Sequence, residues 1–397
     1  MQTTEPPEQS KIEPHTSAAG DVIAAGAVGA GAAVAVGRGA SATVQHITIY
    51  TAAGTTLYVD GQRVRSETST PSAVDPLDQH FESVVKAIVE GRVVPFLGEG
   101  TNLSDRRADA QWPRDDAEYL PDGGELSAYL ASQFHYPDSD KVDLLRVSQY
   151  VMAMNDSGPL RDALHAILDR DYPLTPLHQF FAQLPALLAA KNKQPRPLLI
   201  VTTNYDDLLE RAYRQAGVPF DVVTYIAEGK ERGKFMHTPH EGEPHVIAKP
   251  DEYQALPIEA TSRALQRAII LKVHGAVDRA NPEGDSYVIA EDHYIDYLAQ
   301  ATAATLLPKQ LSSKIFGCHI LFLGYNLRDW NLRAILQRIW SEQTFKYRSW
   351  AIQPNPPPLE LTFWRKRGVD ILGTPLRHYV DLLRARVQAL PDVGGAP

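Results

Sequence analysis

Cysteine is nearly absent from this chain. A single thiol, Cys318, occurs in 397 residues, which excludes an intramolecular disulfide and a zinc site built from several cysteines. An excess of basic charge is absent too. Lysine and arginine number 39 against 48 aspartates and glutamates, for a formal charge of −9, so no direct nucleic-acid binding through the overall field is expected. No apolar run makes a comfortable membrane span. The nearest, Val22 to Gly37, is built almost wholly of Ala, Gly and Val and leads straight into alternating strand-like sequence, and it falls short of the roughly 20 residues a span needs. A phosphate-binding P-loop is missing. The N-terminal MQTTEPPEQSKIEP is acidic and proline-bearing, whereas a secretory signal is basic and then apolar. A cytoplasmic location is therefore expected.

What is present, 44% hydrophobic and 22% charged residues, suits a soluble chain with one large core and a smaller appendage. Residues 1–20 are polar and proline-bearing and read as a disordered tail. Residues 21–65 read as an accessory. After the Ala/Gly-rich run come ATVQHITIY and TTLYVDGQRV, two β-branched and aromatic stretches separated by Ala-Ala-Gly, as in a hairpin. Such a unit either caps the main domain or assembles copies through exposed strands; a homo-oligomer is the expectation adopted. Residues 66–75, rich in Ser, Thr and Pro, form a linker, residues 76–390 the main domain and residues 391–397 a tail.

Within the main domain, Phe81, Val84, Val85, Ile88 and Val89 share one helical face, and Gly91 stands as a C-terminal stop. VVPFL then reads as a buried strand. LLIVT, DVVTYI, IILKV, HILFLG and SWAIQ follow as further apolar strands with helical patterns between them, the signature of a parallel sheet wrapped on both faces. About residues 124–191, amphipathic helices occur without a strong strand. The predicted fold is α/β: a Rossmann-like doubly wound parallel sheet with a helical insertion, plus a small β-rich N-terminal accessory.

Four strand ends carry polar residues where doubly wound folds bind ligands. VVPFLGEGTN ends in Gly98-Glu99-Gly100-Thr101-Asn102, which is either an ordinary turn or a backbone cradle for a pyrophosphate. LLIVTTNYDDLLERA places Thr203, Asn204 and Asp206 between strand and helix; Asp206 fits a helix cap or a ligand contact. IILKVHGAVDR ends in His274-Gly275, and HILFLGYNLRDWN in Gly324-Tyr325-Asn326. A rival cluster, His237, His240 and His245, matches no metal-ligand spacing, and Pro239 and Gly242 suggest a hairpin loop there. Cys318 reads as a small buried residue.

In order and content these segments resemble the SIR2 family, and most closely the bacterial SIR2-like proteins of antiphage defence. Stretches that carry the resemblance include YLPDGGELSAYL, VSQYV, TTNYDDLLE, FLGYNLRDWNLR and FWRKRGVDIL, and it runs from about Glu90 to Arg384. It implies that Asn204 and His274 are the catalytic pair and that Gly98, Gly100, Thr101, Asn102, Thr203, Asp206, Gly324 and Asn326 line an NAD site. Two residues depart from the family pattern. Asn326 stands where serine is usual, and Glu99 where alanine is usual; a carboxylate beside a pyrophosphate costs about 1 kcal/mol in water-like surroundings and more when partly buried.

Family deacetylases carry a four-cysteine zinc module, which Cys318 alone cannot supply. The implied reaction is therefore hydrolysis of NAD at the nicotinamide–ribose bond, without zinc, by an effector of abortive infection. The implied partners are NAD, further copies of the chain, and a defence partner such as an ATPase or a phage-sensing protein. Two alternatives stay open: a non-catalytic sensor of NAD or an ADP-ribose derivative, which Glu99 favours, and an NAD-dependent protein deacylase or ADP-ribosyltransferase.

Overall fold

A computed structural model describes residues 58–59, 62–63, 76–107, 109–112, 118–137, 143–259, 266–299, 307–327, 333 and 347–392. Two compact units divide the chain, residues 1–73 and 74–397. In the first, β1 (Tyr58–Val59) and β2 (Gln62–Arg63) pair antiparallel, Tyr58 with Arg63 and Val59 with Gln62. A short hairpin therefore closes within TTLYVDGQRV. Asp-Gly, the dipeptide between the paired residues, is a strong two-residue hairpin former. ATVQHITIY, the Ala/Gly-rich run and the segments 1–20, 66–75 and 393–397 lie outside the described residues.

The second unit opens with α1 (Pro76–Glu90), which ends at Gly91 with φ +68°. After β3 (Val93–Leu97) come four helices: α2 (Gly123–Gln133), α3 (Leu144–Asn155), α4 (Ser157–Leu168) and α5 (Pro176–Ala189). Then follow β4 (Leu199–Thr202), α6 (Leu208–Gln215), β5 (Phe220–Tyr225), β6 (Phe235–Thr238), β7 (His245–Ile247) and β8 (Ala268–Lys272). A small ladder, β9 (Gly275–Ala276) with β10 (Ser286–Tyr287), precedes α7 (Glu291–Ala299), α8 (Lys309–Phe316) and β11 (His319–Leu323). The chain closes with β12 (Ser349–Ile352), α9 (Pro358–Lys366), β13 (Val369–Leu372) and α10 (Leu376–Gln388).

Nine strands make one sheet in the order β13-β12-β11-β3-β4-β8-β5-β6-β7. The first seven run parallel; β6 and β7 extend the edge antiparallel. Strands β3, β4 and β8 are buried at every position, which is why they read as unbroken apolar runs. Alternate residues face opposite layers. Val94, Phe96 and Val201 join Leu311, Ile315 and Trp364 on one face. On the other, Val93, Leu97 and Ile200 join residues of α1, α5, α6 and α10. Each fully buried aliphatic side chain contributes about 1.5–3 kcal/mol.

Three features depart from the sequence reading. Val369–Leu372 adds a strand that was not predicted. The hairpin loop read at Pro239 and Gly242 is present, but its strands, β6 and β7, continue the main sheet, which was not predicted. The helical stretch divides: α2, α3 and α4 build their own core through Leu130, Val151 and Leu164, whereas α5 packs beneath the sheet. From β3 the chain adds β4 and β5 on one side and inserts β8 between them, then crosses to β11 on the other side. The β3/β11 boundary is thus a topological switch point, where open α/β sheets bind ligands.

Candidate active site

At that boundary the loops after β3 and β11 pack backbone on backbone. Gly98 N–H donates to Leu323 O at 3.0 Å and Gly100 N–H to Gly324 O at 3.0 Å. A Cβ on Gly98 or Gly100 would stand 2.8 or 2.9 Å from Gly324 O, and one on Gly324, where φ is +73°, would stand 2.5 Å from Thr101 N. The glycines are needed for this mutual approach, whereas their sequence context suggested a need set by the ligand.

Asn204 follows β4 and turns its amide nitrogen toward the β3 loop. Nδ2 donates to Gly98 O at 3.2 Å, Thr101 Oγ1 at 3.1 Å and Asn102 Oδ1 at 3.4 Å. Three acceptors around one end of an amide fix its orientation, so Oδ1 is the acceptor end left for chemistry. Asn102 is oriented in turn: its Nδ2 donates to Asp206 Oδ2 at 2.6 Å. Asp206 meets the helix-cap reading in part, since Oδ1 accepts from Leu208 N–H at 3.0 Å in the first turn of α6. Thr101 is fully buried and donates to Gly98 O, so its hydroxyl braces the loop. Thr203 Oγ1 lies 3.0 Å from the Tyr325 hydroxyl, which donates to Leu97 O.

His274 arrives on the adjacent strand end, after β8. Gly275, at φ +87°, would bring a Cβ to 2.0 Å from Ser286 O; the close β9–β10 crossing accounts for the His-Gly pair. The His274 ring is buried, with Nδ1 at 3.4 Å from the Tyr294 hydroxyl and Nε2 without a partner among the described residues. Burial lowers its pKa from 6.5 to about 3, so the ring is neutral at pH 7.

These groups line a cavity of about 440 Å³. Asn102, Thr203, Asn204, Asp206, His274 and Asn326 border it, whereas Gly98, Gly100, Thr101 and Gly324, expected to line the site, are not in its lining. Residues of α2, α3 and α4, among them Leu126, Leu144 and Leu164, cover the sheet edge. Glu99 also borders the cavity, and its Oε2 accepts from Gly123 N–H at 3.1 Å, the first residue of α2. Tyr294 and Tyr325 line it as well and were not anticipated as site residues. Tyr325 lay inside a recognised loop, whereas Tyr294 comes from α7, which carries no local sign of a site.

Residues 198–372 match the family model described as a SIR2-like domain. The chain carries a SIR2-like domain. It is 26% identical over 306 residues to "Defense-associated sirtuin 2" of Bacillus subtilis, covering 75% of this chain and 25% of that protein. It is 26% identical over 261 residues to "NAD(+) hydrolase ThsA" of Acinetobacter baumannii (strain 532279), covering 65% and 41%. The protein of the same name from Enterococcus faecium is 25% identical over 277 residues, covering 69% and 43%. The chain thus spans between a quarter and less than half of these relatives.

The SIR2-like domain also holds the histidine cluster. His237 and His245 are cross-strand partners whose rings share the Tyr253 hydroxyl, while His237 Nε2 pairs with buried Asp221 at 2.9 Å. His240 contributes its backbone N–H to Asp221. Among the described residues no group of three or more His, Cys, Asp and Glu is arranged to hold a metal ion. Cys318 is buried, and burial raises its pKa. No described helix is long and apolar enough to cross a membrane.

Proposed function

We propose that this chain hydrolyses NAD at the nicotinamide–ribose bond as an effector of antiphage defence. The observation that carries the reading is that Asn204 and neutral His274 border one cavity at the switch point of the sheet. The relatives named NAD(+) hydrolase support it. In the reaction, the bond between ribose C1′ and the nicotinamide nitrogen breaks and its electron pair neutralises the cationic ring. Water oxygen bonds to C1′, one water proton passes to solvent, and ADP-ribose and nicotinamide leave.

Because the leaving group departs neutral, no general acid and no carboxylate pair are needed, unlike an ordinary glycosidase. Asn204, held by its nitrogen, offers Oδ1 to the attacking water or a ribose hydroxyl and lowers the entropic part of the barrier. His274 accepts a hydrogen bond from that oxygen through Nε2 as charge develops at C1′. For Nε2 to hold the lone pair, Nδ1 carries the ring proton and donates toward Tyr294. Asn102, Thr203 and Asn326, which border the cavity, are left to serve the pyrophosphate and ribose. Assembly through residues 21–65 into a homo-oligomer, or a defence partner, sets how far a basal activity of the chain rises when a trigger arrives.

The test is chromatography of nicotinamide and ADP-ribose after incubating purified protein with NAD, beside Asn204→Ala and His274→Ala. Release by the wild type and loss in both variants, with circular dichroism unchanged, is the expected result. Undiminished release in either variant removes that residue from the catalytic assignment. NAD binding with no release by the wild type favours the sensor reading, for which Glu99 at the cavity edge is the motivating feature.

A further inference from the structure

Lys272 is the last residue of β8, two positions before His274, and only 1% of it is exposed. Its Nζ donates to the backbone carbonyl of Asp206 and, at 2.9 Å, to Glu210 Oε1. Glu210 sits in the first turn of α6 and is 5% exposed; its Oε2 is buried without a partner among the described residues. Burial pushes the Glu210 carboxyl up while Lys272 draws it down.

As a stabilising device the pair is poor. Taking both charges from water costs several kcal/mol each, and an apolar pair of similar volume is often as stable or more so. What a buried ammonium does supply is several donors on one atom. Lys272 is the register partner of Thr202 in the β4–β8 ladder. Beyond that pair, the Lys272 side chain ties the end of β8 to the loop that carries Asn204.

We propose that Lys272 is a positioning residue, which fixes the Asp206 loop, and through Asp206 and Asn102 the amide of Asn204, relative to His274 on its own strand. The inference rests on the hydrolase reading of the site. An ångström of misplacement between such groups costs about 100-fold in rate.

The decisive comparison uses the full chain and three variants: Lys272→Met, Lys272→Met with Glu210→Leu, and Glu210→Gln. Rates of nicotinamide release are normalised to the fraction folded by circular dichroism. Lys272→Met leaves Glu210 buried without its cation, so both melting midpoint and rate fall. The double variant regains the melting midpoint, yet its kcat stays about 100-fold below wild type while KM changes little. Glu210→Gln keeps an acceptor for Lys272 and the Asp206 contact, and keeps most of kcat.

Wild-type kcat in the double variant overturns the proposal. So does a Glu210→Gln rate as low as that of Lys272→Met, because the charge pair and not the Asp206 tie would then govern activity. A wild type that releases no nicotinamide removes the hydrolase reading and this inference with it. Wild-type release with an unimpaired double variant removes this inference alone.

Discussion

Asn204 meets three acceptors with the nitrogen end of its amide. Asn204→Asp keeps the shape and sets an oxygen against all three, at about 1–3 kcal/mol for each mismatched polar contact. The substitution is expected to lower the melting midpoint and to abolish nicotinamide release as fully as Asn204→Ala; a melting curve and rate equal to wild type would show that the amide is turned the other way. Glu99 poses a separate question. Its carboxylate accepts from Gly123 at the edge of the cavity, so Glu99→Gln retains an acceptor for that N–H while removing one negative charge. If the charge is felt at the pyrophosphate, about 1 kcal/mol of repulsion is relieved, and calorimetry is expected to find ADP-ribose bound about fivefold more tightly. Unchanged affinity would place the phosphates out of reach of Glu99. The Asn204 segment was legible because a polar T-x-N-x-D follows an apolar strand. That Asp206 would grip Asn102 was not, because those residues stand 104 positions apart.

The loops after β3 and β11 behave as one element, joined through the Gly98–Leu323 and Gly100–Gly324 hydrogen bonds. Gly324→Ala forces a Cβ to 2.5 Å from Thr101 N at a φ of +73°. The left-handed conformation alone costs about 1–2 kcal/mol, and the clash adds to it. Urea unfolding is expected to show a loss of more than about 2 kcal/mol, with NAD affinity lost as well; full retention of both would mean that the two loops are free to part. The sequence marked these glycines but could not say what each one faces. Strand β13 was missed for a different reason: Val-Asp-Ile-Leu is short and only partly buried beyond Val369, so it lacks the apolar run that marks β3 or β8. The β6–β7 pair was hidden by Pro239 and Gly242, which signal the turn between the strands more strongly than the strands themselves.

Acid sensitivity belongs to the whole molecule, because buried histidines stand at separate places in the core. Burial lowers His80 from 6.5 to about 4 and His274 to about 3, and it lowers His178 too. Each stays neutral in the folded chain but takes up a proton below about pH 6.5 once unfolded, so the stability they share is present above that pH. It is lost as pH falls toward 4, by up to about 1.4 kcal/mol per pH unit for each group. Urea midpoints are expected to drop steeply between pH 7 and 5, with a shallower drop in His80→Gln. A flat midpoint over that interval would mean that these rings are protonated in the folded chain. The same neutrality applies at the site: His274 should give the rate of nicotinamide release no titration step near pH 6.5.

By itself the sequence determined the class of fold, since unbroken apolar strands separated by amphipathic helices bury both faces of a parallel sheet in only a few ways. It also marked strand ends that border the cavity, because Asn and His directly after such strands have no packing role that periodicity explains. Only the tertiary structure decided the order of the strands and hence that β3 and β11 lie side by side. It alone oriented the Asn204 amide, buried His274 beside Tyr294 and set Lys272 beneath the Asp206 loop. Those outcomes depend on contacts between residues far apart in the chain, where local pattern carries no signal and packing chooses the neighbours.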